Sequence, residues 1–379
     1  MYQRHLTPPP KQSFFLFGPR GTGKTWWVRT AFPDALYFDL LQSSLQNRLT
    51  TEPDRLEAMI PDDYSGWVII DEVQKVPALL NEVHRLIEGK GIKFILTGSS
   101  ARTLRKKGTN LLAGRAIMCK MHPLTAAELG RDFDLNHSLM WGHLPAVQES
   151  SNPAAYLNSY VNSYLREEVL QEGLTRDLGA YSRFLETASF CQGQVLNMSQ
   201  IAREAAIPRK TVEGYFELTE DLLLARRLPV FTRRAKRRLT AHPKFYFFDI
   251  GVYKILRPRG PLDIEAEING VALESLVLQE LEATNDQFDL GYRIYYWRTV
   301  HGAEVDFVLY GPSGLHAVEV KHSKVVSPHD LRGLKAFGAD YPETKLTLLY
   351  RGRQEEYHGP IRCLPVENAL PQLKTLLDR

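Results

Sequence analysis

A glycine-rich segment near the start of the chain carries the residue types that bind the phosphates of a nucleoside triphosphate. It fits the pattern G-x-x-x-x-G-K-[ST] directly after an apolar stretch, and its candidate phosphate ligands are Gly18, Gly21, Thr22, Gly23, Lys24 and Thr25. In this pattern glycines let backbone N–H groups point at the phosphates, the lysine reaches the β and γ phosphates, and the last hydroxyl binds Mg²⁺. The segment therefore predicts a strand, a phosphate-binding loop and a helix; a glycine turn that binds nothing is the alternative.

The second candidate element is the apolar stretch that ends in Asp71 and Glu72. Its unbroken apolar residues are typical of a strand buried in a parallel sheet. Asp71 would orient the Mg²⁺ shell, and Glu72, one residue further on, would polarise the water that attacks the γ phosphate. This pair predicts a hydrolase; two solvated acids at a strand end are the alternative.

A third apolar stretch begins at Lys93 and ends in small hydroxyl residues, of which Thr97 is the first. From a neighbouring strand this hydroxyl could sense the γ phosphate, although a threonine that only caps the next helix has the same sequence pattern. Together the three stretches predict an α/β domain with the nucleotide at the carboxyl ends of parallel strands.

These stretches in this order resemble the AAA+ ATPases, and within them the group whose acidic strand continues as Asp-Glu-Val-Gln, here residues 71–74. The resemblance extends to Leu-Thr-Gly-Ser-Ser in the third stretch and to Leu-Ala-Gly-Arg at residues 112–115. It implies ATP as the nucleotide, a ring-like homo-oligomer, and Arg115 as a candidate arginine finger that reaches a neighbouring subunit. An arginine that pairs with a surface acid of its own chain fits the sequence equally well.

Acidic residues near the C-terminus form a second candidate site. Two alternating stretches joined by Gly-Pro-Ser-Gly predict a hairpin, whose period of two puts Glu319 and Lys321 on one face with Asp306 alongside. Glu274, in a predicted helix, supplies a further acid. Glu274, Asp306 and Glu319 could hold one or two Mg²⁺ or Mn²⁺ ions, while Lys321 stabilises the charge that develops on a phosphodiester.

The order Glu274, Asp306, Glu319, Lys321 resembles that of the PD-(D/E)XK nucleases, and the AAA+ group named above typically ends in such a domain. The resemblance implies metal-dependent cleavage of DNA. The proline that usually precedes the aspartate is replaced here by Val305. Two alternatives stay open, a surface hairpin with incidental charges and a nuclease-like domain that is catalytically silent.

Residues 199–218 have the pattern of two short amphipathic helices with a tight turn between them, and they resemble a winged helix-turn-helix. In that arrangement the second helix presents Arg209 and Lys210 outward, while Val212 and Phe216 pack inward. DNA reading by this helix is one interpretation, and a winged helix used only for packing or assembly is the other.

A run of positive charge follows, because no acid occurs between Asp221 and Asp249. Its eight cationic residues are Arg226, Arg227, Arg233, Arg234, Lys236, Arg237, Arg238 and Lys244. Such a strip would bind DNA phosphates by counterion release, unless it is only a solvated basic face. A smaller cluster, made of Arg102, Arg105, Lys106 and Lys107, is a further candidate for contact with DNA.

Length and composition limit the class of protein. At 379 residues the chain exceeds one usual core, and we expect an AAA+ core over 1–122, a helical lid over 123–190, a winged helix with the basic strip over 191–255 and a nuclease-like domain over 256–379. The net charge of +3 is too small to indicate a nucleic-acid surface without local clustering. Three widely spaced cysteines predict neither disulfides nor a zinc site, and the lack of a long apolar run predicts a cytoplasmic protein with no membrane span.

Together these features predict an α/β protein that couples ATP hydrolysis to the binding and metal-dependent cleavage of DNA, with duplex or branched DNA as its partner. The rival hypothesis is an ATP-gated regulator that holds DNA or a protein and never cuts it. A third is an ATPase that acts on proteins.

Overall fold

The computed structural model describes residues 2–102, 104, 112–164, 177–261 and 263–378. Over these residues the chain forms two compact units. The N-terminal unit comprises Leu6–His122 with Asp221–Leu223, and the C-terminal unit comprises Met1–His5, Pro123–Glu220 and Leu224–Arg379.

The N-terminal unit is built on a sheet in which every pair of neighbouring strands is parallel. Its strands are β1 (Phe14–Phe17), β2 (Leu36–Asp39), β3 (Trp67–Asp71), β4 (Lys93–Gly98) and β5 (Ile117–Lys120). The spatial order is β2-β3-β4-β1-β5, so β4 lies between the strand that precedes the glycine-rich loop and the strand that ends in Asp71. The predicted parallel α/β sheet is confirmed.

Both faces of β1 are buried, because successive residues of this strand enter different cores. Phe14 and Leu16 pack in one cluster with Trp27, whereas Phe15 and Phe17 pack in the other. The helices of the unit are α1 (Lys24–Ala31), α2 (Ser43–Thr51), α3 (Arg55–Ala58) and α4 (Leu79–Lys90). Apolar residues on both faces of β1 therefore hold in place the strand from which the glycine-rich loop departs.

The first part of the C-terminal unit is mainly helical. Its elements are α5 (Ala126–Leu129), α6 (Leu135–Trp141), α7 (Pro145–Glu149), α8 (Pro153–Ser159), α9 (Leu178–Ser189), α10 (Met198–Glu204), α11 (Arg209–Asp221), whose last residue belongs to the other unit, and the antiparallel ribbon of β6 (Ala225–Leu228) with β7 (Lys244–Phe247). Polar residues set several helix starts. Thr125 and Glu128 form a capping box on α5, and the side chains of Asp134 and Asn152 accept hydrogen bonds from backbone N–H groups of α6 and α8.

The second part of the C-terminal unit surrounds a six-stranded mixed sheet of order β12-β13-β11-β10-β9-β8. Its elements are α12 (Ile250–Leu256), α13 (Glu265–Gln287), β8 (Arg293–Arg298), β9 (Glu304–Gly311), β10 (Gly314–Lys321), α14 (Arg332–Asp340), β11 (Lys345–Tyr350), β12 (Glu356–His358), β13 (Ile361–Pro365), α15 (Val366–Ala369) and α16 (Leu373–Asp378). Strands β9 and β10 pair antiparallel with Gly311 opposite Gly314, which confirms the predicted hairpin. Val318 and Val320 enter the core that contains Leu273 and Leu276 of α13.

None of the helices in the described ranges combines the length and the apolar character that a membrane span requires.

Candidate functional site

The glycine-rich loop connects β1 to α1, as the sequence predicts. Gly21 and Gly23 have φ values of 84° and 92°, a backbone region that glycine adopts without steric cost. A Cβ added at Gly18 would lie 2.2 Å from the carbonyl oxygen of Met121, so the loop also begins at a close backbone approach. Thr22 closes a turn within the loop, since its hydroxyl donates to the carbonyl of Pro19 at 2.8 Å.

Lys24 is buried beneath this loop. Its ammonium donates to the carbonyl oxygens of Gly18 at 2.6 Å and Pro19 at 3.1 Å. These bonds hold the positive charge at the N-terminus of α1, where backbone N–H groups without helical partners already favour an anion. The loop and the lysine thus place positive charge and helix-terminal N–H groups together, an arrangement that favours a phosphate.

The carboxylate of Asp71 joins the loop to two neighbouring strands. The Thr25 hydroxyl donates to one oxygen, Oδ2, at 2.8 Å, and the Thr97 hydroxyl donates to the other, Oδ1. The Tyr37 hydroxyl, from β2, also donates to Oδ2. Three hydroxyls from three elements therefore fix the orientation of one carboxylate.

Sequence reasoning missed Tyr37. Its pKa is raised by partial burial and by the hydrogen bond from its hydroxyl to the Asp71 carboxylate. The guanidinium of Arg29, on α1, lies 4.1 Å from the centre of its ring. Tyr37 is the second residue of β2, and its partner is evident only once β2 is known to lie beside β3.

Glu72 follows directly, with φ of 61°, in the left-handed region that a non-glycine residue seldom adopts. Its backbone N–H donates to the Thr97 hydroxyl at 3.3 Å. The Gln74 side-chain amide donates to the Glu72 carboxylate and, at 3.3 Å, to the Ser99 hydroxyl. Gln74 therefore positions Glu72.

Gly98 makes room for this glutamine. A Cβ at position 98 would lie 2.4 Å from Oε1 of Gln74, closer than any tolerated contact. The two sequence motifs, 71–74 and 96–100, thus interlock through the Gln74 side chain. The spacing of the motifs predicts neighbouring strand ends, but it does not reveal this contact.

The donor set at Thr25 and Asp71 fits a magnesium nucleotide. A hydroxyl and a carboxylate oxygen lie 2.8 Å apart, and both are hard oxygen donors of the type that Mg²⁺ prefers. Lys24 and the backbone N–H groups of the loop supply the positive charge for the phosphates. Lys24, Thr25 and Asp71 therefore suit the magnesium-bound nucleotide that the sequence implies.

Arg115, the candidate arginine finger, is ion-paired within its own chain. Its guanidinium contacts the carboxylate of Glu88, and both side chains are partly exposed. The arginine lowers the pKa of Glu88 through this hydrogen bond. Of the nearby basic cluster, Arg102 pairs with Asp221, whereas Arg105, Lys106 and Lys107 lie outside the described residues.

The predicted acidic residues of the C-terminal unit lie around one cleft of about 1050 Å³. Glu274 comes from α13, Asp306 from β9, and Glu319 and Lys321 from β10. Lys321 donates to Glu319 Oε1 at 2.5 Å, as expected of residues on one face of a strand. Asp306 Oδ2 accepts the backbone N–H of Val320 at 2.9 Å, which ties the two strands at this point.

Lys244, the first residue of β7, lies among these acids. Its ammonium is 3.0 Å from Glu274 Oε1, 2.6 Å from Glu304 Oε1 and 3.6 Å from Asp306 Oδ1. The expectation that Lys244 belongs to an exposed phosphate-binding strip is therefore wrong: its side chain is 4% exposed. The available signal was the position of this lysine at the start of the aromatic strand Lys-Phe-Tyr-Phe, which indicates burial. A buried ammonium needs acidic partners.

Burial and charge perturb the pKa values in this cleft. Burial raises the pKa of Glu274 to about 7, with the nearby Asp306 acting in the same direction and Lys244 opposing it. The pKa of Glu319 is also raised, again mainly by burial and by Asp306. For Lys244, burial lowers the pKa, but the surrounding carboxylates outweigh it and the net shift is upward.

These residues do not fit a divalent metal ion as they stand. Within the described parts of the chain, no group of three His, Cys, Asp or Glu side chains is arranged to hold one. The oxygens of Glu274 and Glu304 that would face an ion already contact the Lys244 ammonium. The sequence did not indicate that Glu304 and Lys244 belong to the acidic cleft.

The remaining basic strip divides into paired and exposed residues. Arg226 pairs with Glu282, Arg227 with Glu220, and Arg237 with Asp340. Arg233 lies 4.6 Å from the centre of the Tyr310 ring. Every residue from 232 to 238 is exposed, including Arg234, Lys236 and Arg238.

Arg209 and Lys210 are exposed at the start of α11, and Arg209 pairs with Glu213 one turn further along. Val212 and Phe216 are fully buried on the opposite side of this helix.

Comparison with known families divides the chain into three parts. Residues 10–130 match an AAA domain, residues 132–263 match a domain of unknown function (DUF8612), and residues 269–368 match another domain of unknown function (DUF4143). The AAA domain, a family of ATPase domains, lies at the N-terminus, where the sequence resembles the AAA+ ATPases, and the DUF4143 domain lies at the C-terminus.

Among curated proteins, an uncharacterized protein of Mycobacterium tuberculosis is 26% identical over 368 residues, which is 95% of this chain and 80% of that protein. An uncharacterized protein of Haemophilus influenzae is 21% identical over 307 residues, which is 76% of this chain and 74% of that protein. Among solved structures, the Aeropyrum pernix ORC1 protein in complex with DNA is 14% identical, covering 66% of this chain and 87% of that one, with a TM-score of 0.28.

Proposed function

We propose that this protein binds and hydrolyses ATP with its N-terminal unit and holds DNA on the charged surface of its C-terminal unit. The observation that carries the ATPase proposal is the Asp71 carboxylate, which accepts hydrogen bonds from Thr25 at the start of α1 and from Thr97 on β4. These bonds connect residues that we propose as parts of one nucleotide site. The AAA domain match over the same residues supports it.

Each residue then has a role in the proposed reaction. Lys24 and the loop N–H groups bind the β and γ phosphates, and Thr25 with Asp71 holds Mg²⁺. When bound, Mg²⁺ neutralises charge on the phosphate oxygens. Glu72 orients and polarises the attacking water, Gln74 holds the Glu72 carboxylate in position, and Thr97 senses the γ phosphate from β4.

The DNA part of the proposal rests on the exposed cations of the C-terminal unit. Arg234, Lys236 and Arg238 are exposed in an irregular segment, and Arg237 and Arg238 also line the acidic cleft. Two helices followed by an antiparallel ribbon, α10 and α11 with β6 and β7, have the element order of a winged helix. Phosphates bound by this surface would add affinity without sequence selectivity.

Metal-dependent cleavage of DNA is the second candidate function. The gathering of Glu274, Asp306, Glu319 and Lys321 around one cleft favours it. The Lys244 ammonium among the carboxylates argues against it, since it occupies the space between oxygens that a metal would need. We therefore favour DNA binding without cleavage. The proposal also includes a ring-like assembly in which Arg115 acts across the subunit interface.

The test measures phosphate release from ATP by the full-length protein with Mg²⁺, alone and with linear or four-way duplex DNA. The proposal predicts that the wild type hydrolyses ATP and that Lys24→Ala does not. In the absence of nucleotide, Lys24→Ala should bind DNA as the wild type does. Cutting of either DNA by the wild-type protein would favour the nuclease function instead. No turnover under any of these conditions would exclude the ATPase proposal.

A further inference from the structure

Carboxylates from two elements converge on the Lys244 ammonium in the acidic cleft. Glu274 reaches it from α13 at 3.0 Å, and Glu304 and Asp306 reach it from β9 at 2.6 Å and 3.6 Å. The lysine side chain is 4% exposed, so this is an internal ion cluster and not a surface pair. The ammonium therefore balances negative charge from three acids, which is the electrostatic role that a bound cation would have.

The lysine is held there by the backbone that carries it. Lys244 opens β7, where it pairs with Leu228 of β6, and it forms a further bridge with Val195. Its ammonium also lies 5.6 Å from the centre of the Tyr296 ring, which adds a cation–π contact. Backbone pairing on both sides therefore aims the side chain into the cluster.

A divalent ion at the same oxygens would meet two obstacles. The first is charge, because two cations held a few ångströms apart in a buried site repel each other strongly. The second is bonding capacity, since Glu274 Oε1 already accepts from Lys244 at 3.0 Å and from the Tyr246 hydroxyl at 2.5 Å. At this oxygen, Lys244 and Tyr246 already use the acceptor capacity that a metal would need.

We propose that Lys244 is a built-in counter-ion that takes the place of a divalent metal in this carboxylate cluster and keeps the cleft from binding one. The inference goes beyond ATP hydrolysis and DNA binding and depends on neither. In a metal-dependent enzyme, the ion would lie among these carboxylates. Here the Lys244 side chain takes that position. Removal of the ammonium should expose a latent metal site.

The experiment measures uptake of Mn²⁺ by the nucleotide-free, full-length protein through the electron paramagnetic resonance signal of free Mn²⁺. Wild type and Asp306→Asn should take up the same amount. Lys244→Met should take up one more Mn²⁺ per chain, because three carboxylates lose their internal cation. The affinity of the cluster for Mn²⁺ should be at least about tenfold higher in this variant than in the wild type. The double variant Lys244→Met with Asp306→Asn should lose this gain, and Lys321→Met, which leaves Lys244 in place, should show no gain.

Two results would overturn the proposal. One is uptake by the wild type that Asp306→Asn removes, since the cluster would then bind metal with Lys244 present. The other is the absence of any gain in Lys244→Met when its circular dichroism is that of the wild type. If Lys244→Met does not fold, the comparison of wild type with Asp306→Asn decides alone: equal uptake supports the proposal and excess uptake by the wild type contradicts it.

Discussion

The Thr25 hydroxyl donates to Oδ2 of Asp71 at 2.8 Å, although the two residues are 46 positions apart in the chain. This bond connects the start of α1 to the end of β3, and in the sheet β4 lies between β3 and β1. A hydroxyl that follows the phosphate-binding lysine is thereby paired with the acid expected to share Mg²⁺ with it. The bond therefore joins two residues of the proposed nucleotide site.

Loss of the Lys24 ammonium should weaken ATP binding. In Lys24→Ala the charge bonded to the carbonyls of Gly18 and Pro19 disappears, and with it the charge-assisted hydrogen bonds to the phosphates. We expect the dissociation constant for ATP, measured by isothermal titration calorimetry, to rise about tenfold to a hundredfold. Lys11→Ala, which removes an exposed lysine, is the matched control and should leave the affinity unchanged. Equal affinities in all three proteins would show that Lys24 does not contact the phosphates.

Gln74 should act on the rate of hydrolysis and not on nucleotide binding. Gln74→Ala removes the amide that bonds to Glu72 and Ser99, so the Glu72 carboxylate loses its fixed orientation. We expect kcat to fall by about tenfold while the dissociation constant for ATP is kept. A parallel loss of binding and of thermal stability would instead indicate a purely structural role.

Gly98→Ala provides an independent check of the same contact. Its methyl group would lie 2.4 Å from Oε1 of Gln74 and would displace that side chain while leaving its chemistry intact. The variant should therefore share the kcat defect of Gln74→Ala, and the two changes combined should lower kcat no further.

Substitutions at Arg115 and Glu88 should show whether Arg115 is an arginine finger or only part of a surface ion pair. If it acts in a neighbouring subunit, Arg115→Ala should reduce hydrolysis by about a thousandfold or more without weakening ATP binding, and wild-type turnover per chain should rise with protein concentration. Glu88→Gln releases Arg115 from its intramolecular pair and should not lower turnover. Activity that is unaffected by Arg115→Ala and independent of concentration would leave only the pairing with Glu88.

The exposed cations should control the salt dependence of DNA binding. For duplex DNA, the triple variant Arg234→Ala, Lys236→Ala, Arg238→Ala should lower the slope of log K against log salt by about 0.9 for each phosphate that it no longer neutralises. Arg227→Ala is the matched control, because Arg227 is bonded to Glu220 and is not expected to reach a phosphate. An unchanged slope in the triple variant would move the DNA surface elsewhere or favour a protein partner.

Sequence reasoning works best for the N-terminal unit, and the reason is geometric. A glycine-rich loop has fixed local spacing, and parallel strands bring their carboxyl ends to one edge, so Asp71 and Thr97 follow from pattern alone. The contacts of Tyr37 and Gln74 depend on which strands are neighbours and on the absence of a side chain at Gly98. Those facts arise from tertiary packing and have no periodic signature.

The acidic cleft shows the opposite limit. Alternation along β10 correctly places Glu319 with Lys321, but it says nothing about a residue some 75 positions upstream. Lys244 appears in the sequence as one more cation of a basic strip, whereas in the fold it is buried against acids of α13 and β9. Charge composition does not reveal which charges meet, and here that pairing determines whether the cleft has room for a metal.

The most direct test of the central claim compares hydrolysis and binding of ATP in the wild type and in Glu72→Gln. Because we propose that Glu72 polarises water and does not bind phosphate, the variant should keep the affinity for ATP and lose about a hundredfold to ten-thousandfold in the rate of phosphate release. Glu52→Gln, the same change at an exposed glutamate, should match the wild type in both. A Glu72→Gln variant that hydrolyses ATP at the wild-type rate, or a wild-type protein that binds no ATP, would contradict the account.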